Sequence, residues 1–191
     1  MVAELTRLWR RWAAHNRVRV TIIVGLVYVA FSRPHWSGLA AGAILIAAGQ
    51  AVRIWGSGYL EKNVSMACSG PYRLVRHPLY VGSFLMGLGL AISVESPAGW
   101  TIGYLLLFVG FFLPAIHVEE LRLQSIFGAE YQDLMVEVPA LAPRLARPSS
   151  PPRSPPETSF SWTRVVDNRE VRSVVAMVAI VILQAIKTVL A

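Results

Sequence analysis

Apolar residues in this chain gather in long blocks instead of recurring at amphipathic spacing. Four blocks occupy residues 18–31, 37–54, 79–94 and 98–116, and a fifth covers residues 171–186. Each approaches the ~20 residues that an α-helix needs to cross the hydrocarbon core of a bilayer. The first reaches that length when Asn16 to Arg19 snorkel toward the headgroups. It follows a basic, tryptophan-bearing segment and is not followed by a small-residue cleavage site, so it reads as a span and not as a cleavable leader. The pattern predicts an all-α fold, a polytopic transmembrane helix bundle of four to five spans, with short cytoplasmic helices capping a pocket.

The composition agrees, with 54% hydrophobic and 15% charged residues. A net charge of +7 suggests nucleic acid at first sight, but its distribution points elsewhere. Arginines cluster before the first block, Lys62, Arg73 and Arg76 lie between the second and third, and many arginines follow the fourth. The other two connections hold little positive charge beyond Arg33. Basic residues on alternate loops are the positive-inside pattern, which predicts a cytoplasmic N-terminus and cytoplasmic loops after the second and fourth blocks. No nucleic-acid partner is expected. The chain divides into a basic N-terminal segment (1–17), a membrane domain (18–146), a Pro/Ser-rich linker (147–160) and a C-terminal hydrophobic helix (161–191), read as a fifth span with Lys187 snorkelling at its end.

Cys68 is the sole cysteine, so no internal disulfide or multi-cysteine metal site is possible. His117 and Glu120 have helical i, i+3 spacing but lack two further ligands, and no metal is expected. Inside the blocks, Gln50 and Arg53 share one helix face. An intramembrane arginine is functional or paired by default, although near a span's end it also serves to snorkel. Pro114 interrupts the fourth block and leaves a carbonyl one turn earlier without its hydrogen bond.

The densest chemistry lies in "GPYRLVRHPLYVGSF", residues 70–84. Gly70-Pro71 signals a turn, and Pro78 suits the first position of a helix, which puts His77 at its N-cap. A helix start offers unpaired N–H groups to an anion, Arg76 and His77 add donors, and Tyr72 and Tyr80 bring aromatic faces. Together they suit a zwitterionic small molecule. A second dense region, "HVEELRLQSIFGAEYQDLMVEVPALAP", begins at His117. Its acids Glu119 and Glu120 suit an amino group, ribose hydroxyls or arginines of the first region, and Gly128 bends or breaks the helix before Tyr131. Both regions fall on one side of the membrane by the charge count, so they can share one pocket.

Two signatures, GPYxxxRHPxYxG and EExxLxxxFGxxYxxxxxxVP, occur in this order across residues 48–143. In them the chain resembles the isoprenylcysteine carboxyl methyltransferase family, membrane methyltransferases related to phospholipid N-methyltransferases. The resemblance implies S-adenosylmethionine as cofactor, held by Tyr72, Arg76, His77, Pro78, Tyr80, Glu119, Glu120 and Tyr131. It implies methyl transfer to a carboxylate, or an amine, of a lipid-like or prenylated substrate. Arg53 or Arg76 would orient a carboxylate, and Glu119 or Glu120 would be the base for an amine. The chain departs from the family at Leu134, where a tyrosine is common, and at Ala140-Leu141-Ala142, where a basic or aromatic residue is usual. Two other readings stay open: an NADPH-dependent reductase of the steroid-reductase type, whose loop is similar, and a non-catalytic membrane interaction protein.

Overall fold

The computed structural model describes residues 2–61, 65–143 and 158–190, with side chains from residue 4 onward. Among the described residues there are eight α-helices and no strand. They are α1 (Val2–Phe31), α2 (Trp36–Tyr59), α3 (Pro78–Ile92), α4 (Pro97–Leu107), α5 (Leu113–Phe127), α6 (Ala129–Glu137), α7 (Trp162–Asp167) and α8 (Glu170–Leu190). Four continuous helical stretches are long and apolar enough to cross a membrane: Glu4–Phe31, Trp36–Tyr59, Pro97–Phe127 and Glu170–Leu190. The protein is an integral membrane helix bundle. The expected linker falls almost wholly outside the described residues.

The third apolar block differs from expectation. It forms a helix of 15 residues, about 22 Å long at 1.5 Å per residue, which is short of the ~30 Å hydrocarbon core. It runs antiparallel beside α2, and the two helices touch through glycines. A Cβ on Gly49 would sit 2.5 Å from the Gly82 carbonyl oxygen, and one on Gly89 would sit 2.6 Å from that of Gly42. Small residues spaced by seven on both helices thus allow backbone-to-backbone approach, where lipid offers no hydrophobic drive to association. At the far end His35 N–H donates to the Ser93 carbonyl at 3.4 Å and Glu95 N–H to that of Arg33 at 2.9 Å, which ends α3 at Ile92.

Pro114 is absorbed without a break. Residues Phe108–Phe112 form one π-turn between α4 and α5, in which the Leu113 N–H reaches back five residues to the Phe108 carbonyl. The extra residue makes room for the proline ring and leaves the long helix continuous.

The basic N-terminal segment is helical and continuous with the first span. The C-terminal helix α8 closes the bundle through polar contacts. Gln184, fully buried, donates to Ser32 Oγ at 2.8 Å. Lys187, expected to snorkel, donates instead to the carbonyls of Val29 and Ser32 at 2.8 and 2.6 Å. Those carbonyls end α1, where unsatisfied acceptors and the negative end of the helix dipole favour a cation.

Candidate active site

The loop between α2 and α3 is built by its turn residues. Gly70 has φ +59°, and any side chain there would strike the Tyr59 ring. Residues Gly70–Arg73 then make a 3₁₀ turn that buries Tyr72. His77 is the N-cap of α3 and Pro78 its first residue, as the sequence predicts. At the other partner segment Gly128, at φ +57°, separates α5 from α6, and α6 delivers Tyr131 and Leu134 into an apolar cluster with Met66, Cys68 and Val138. Leu134, which stands where the family commonly has tyrosine, is therefore a core residue here.

The two segments are stitched together through their backbones. Arg76 N–H donates to the Pro139 carbonyl at 2.9 Å and His77 N–H to that of Ala140 at 3.1 Å. Side chains repeat the stitch. Arg76 donates to Glu120 Oε1 from Nη2 at 2.6 Å and from Nε at 3.1 Å, and its Nη1 serves the carbonyls of Met135 and Val138. His77 Nε2 lies 3.3 Å from the same Glu120 oxygen. The Arg76 and His77 N–H groups and the Arg76 guanidinium are thus engaged within the protein.

Beside this clasp lies a cavity of about 760 Å³, walled by α1, the end of α2, the loop, α3, α5, α6 and the start of α8. Tyr72, Arg76, His77, Pro78, Tyr80, Glu119 and Tyr131 all line it; Glu120 is not among its lining residues. Adjacent acids thus diverge, because neighbours on a helix point ~100° apart. Glu120 turns to the clasp, while Glu119 accepts from Tyr80 Oη at 2.8 Å at the cavity wall. Arg17 donates to that same Tyr80 hydroxyl, lies 5.1 Å over its ring and stands 4.0 Å from Glu119.

Two phenols are set up as donors. Burial, then the charges of Glu119 and Glu170, push the Tyr72 hydroxyl far above its ordinary range. Tyr131 is pushed up to about 12 by burial, then by Glu120. Both keep their protons at neutral pH. The Tyr131 hydroxyl is buried in the cavity wall beside Arg76, whose charge and hydrogen bonding offset part of that rise.

Arg53 also lines the cavity, but it is already paired. Its Nη2 and Nε donate to Glu170 Oε1 and Oε2 at 2.7 and 3.0 Å, and its Nη1 to Ser83 Oγ at 2.6 Å and the Leu79 carbonyl at 3.3 Å. The paired rather than snorkelling arginine is the observed case. Sequence reasoning missed Arg17 and Glu170. Arg17 had a usable signal: with Ala14, Val18 and Thr21 it repeats at i, i+3, i+4, i+7, and all four line the cavity. Glu170 had none, being separated from Arg53 by 117 positions.

Comparison with known proteins supplies the relationship. The chain matches a family model described as phospholipid methyltransferase over residues 20–130. It is 31% identical over 156 residues to the cobalt-zinc-cadmium resistance protein CzcN of Cupriavidus metallidurans, covering 75% of this chain and 71% of that protein. The protein-S-isoprenylcysteine O-methyltransferase of Schizosaccharomyces pombe is 34% identical over 83 residues, 44% of this chain and 35% of that one. Methanethiol S-methyltransferase 2 of Bradyrhizobium diazoefficiens is 38% identical over 77 residues, 39% and 27% of the two chains. The matches to these two methyltransferases thus span about a third of their lengths. No solved structure matches the chain. With more than half of its length inside the family model, and both signatures converging on one cavity, the chain belongs to the phospholipid methyltransferase family, related to the isoprenylcysteine O-methyltransferases.

Proposed function

We propose that the protein is a membrane methyltransferase that uses S-adenosylmethionine and methylates a lipid-like or prenylated acceptor. One observation carries the reading: the two signature segments are clasped together over a cavity whose size lies within the ~300–1,000 Å³ usual for small-molecule sites. The residues present fit the cofactor. Glu119 suits its ammonium or ribose hydroxyls and Arg17 its carboxylate. Tyr72, His77, Pro78 and Tyr80 form the flat walls, and Arg76 with Glu120 holds the two segments in register.

Bound there, S-adenosylmethionine supplies a methyl group made electrophilic by its sulfonium. The protein's own task is alignment of an incoming nucleophile and exclusion of water, effects that lower barriers without a dedicated acid or base. The basic flanks of the spans favour a cytoplasmic cavity end, with residues 18–146 forming the methyltransferase domain and residues 161–191 adding the last span.

Calorimetry on the purified protein in detergent tests the reading. S-adenosylhomocysteine is expected to bind the wild type and to lose binding in His77→Ala and Glu120→Ala. Binding of NADPH instead, or of neither ligand, overturns it.

A further inference from the structure

Resting on that methyltransferase reading, we propose that Glu170 determines the acceptor class: by occupying Arg53 it excludes carboxylates and selects a head group that arrives without negative charge, an amine or a thiol, whose nitrogen or sulfur takes the methyl as the methyl–sulfonium bond breaks and whose proton is released to solvent. Both residues line the same cavity as Arg17, Tyr80 and Glu119, Arg53 from α2 and Glu170 from the start of α8. Glu170 is 2% exposed and takes Arg53 through both oxygens. Of the five N–H donors a guanidinium carries, four are used: two by Glu170, one by Ser83 and one by the Leu79 carbonyl. A substrate carboxylate would have to displace a bidentate partner and leave that partner's charge buried.

The delivery of Glu170 is specific. Asn168 Nδ2 donates to the Ser57 and Leu60 carbonyls, both at 3.0 Å, at the end of α2. Ser161 N–H donates to the Gly58 carbonyl at 3.0 Å, and Ser173 Oγ to Gln50 Oε1 at 3.1 Å. Between these anchors Arg169 holds φ +62°, a left-handed conformation that a non-glycine residue keeps only when its surroundings impose it. The strained residue immediately precedes Glu170. The C-terminal half of the device, residues 161–173, lies beyond residues 20–130, the part matched by the family model, while Arg53 lies within it. The C-terminal segment thus supplies the partner of an arginine that belongs to the family domain.

The test uses full-length protein in detergent saturated with S-adenosylhomocysteine, and three probes of equal chain length: dodecanoate, dodecylamine and dodecanethiol. Binding is read by calorimetry, and label transfer from S-adenosylmethionine is read in parallel. Wild type is expected to bind the amine or the thiol at least tenfold tighter than dodecanoate. Glu170→Gln, which frees Arg53, is expected to tighten dodecanoate at least tenfold. The double variant Arg53→Met/Glu170→Leu, which removes the pair without stranding a charge, should lose the discrimination while still binding S-adenosylhomocysteine. Dodecanoate binding to wild type within threefold of the better of the other two overturns the proposal. So does an unchanged dodecanoate affinity in Glu170→Gln, or failure of all three probes to bind. Loss of S-adenosylhomocysteine binding by the wild type instead sinks the parent reading.

Discussion

Replacing Glu120 by glutamine keeps the shape of the clasp and removes its charge. One oxygen of Glu120 receives two Arg76 nitrogens and the His77 ring, in a setting where the Arg76 side chain is only 9% exposed and that of Glu120 14%. Hydrogen bonds to charged groups are worth about 1.5–3 kcal/mol each, and the amide oxygen retains part of that. A net loss of about 2 kcal/mol is therefore expected, which is about 30-fold in an equilibrium constant. Arg76 would keep its bonds to Met135 and Val138, so the fold should survive while α5 loosens from the loop. Calorimetry should show S-adenosylhomocysteine binding weakened by up to about 30-fold, together with a lower thermal midpoint in detergent. Glu119→Gln is the comparator. Its partner Arg17 is 4.0 Å away and both side chains are more than a third exposed, so the ion pair contributes at most about 1 kcal/mol. Glu119→Gln should weaken ligand binding with little change in midpoint. The clasp reasoning fails if Glu120→Gln leaves the midpoint within a degree and affinity within twofold, or if Glu119→Gln destabilises equally.

The α2–α3 contact predicts that Gly49→Leu, whose Cβ would meet the Gly82 carbonyl at 2.5 Å and Met86 Cγ at 2.8 Å, costs at least 1–3 kcal/mol. Gly25→Leu, with nothing within 4 Å of its Cβ, should leave the thermal midpoint unchanged, and equal effects of the two would refute the packing account. Burial, then Glu130, pushes the Cys68 thiol up to about 11. At pH 7.5 it stays protonated and shielded, so a maleimide should label the native protein at least tenfold more slowly than the chain unfolded in SDS. Equal rates would show that the apolar cluster around Tyr131 is open.

Local signals determined much of the machinery. Gly70-Pro71, His77-Pro78 and Gly128 act through φ and through a missing or unpaired N–H, properties of one or two residues, and the structure uses each where the sequence places it. The apolar blocks likewise set the spans, since lipid requires every backbone group to be satisfied within its own helix. The third block shows the limit: its composition reads as a span, yet its end at Ile92 is fixed by backbone bonds to residues 33–35. Pro114 reads as a break, and the extra residue of a π-turn absorbs it.

Which charges meet was decided only by tertiary structure. Glu119 and Glu120 are equivalent in sequence, and the rotation of α5 against the loop sends one to the cavity and the other to Arg76. Arg17 reads as one more basic flank until α1 packs along α5 and turns it over Tyr80. Arg53 reads as functional, paired or snorkelling, and its partner is unknown until α8 returns, 117 residues later, with Glu170. Hydrophobic periodicity and turn chemistry are properties of neighbours along the chain, so they are legible in it. Charge pairing in a low-dielectric bundle depends on helix rotation and on distant segments, and it becomes determinate only when the helices are packed.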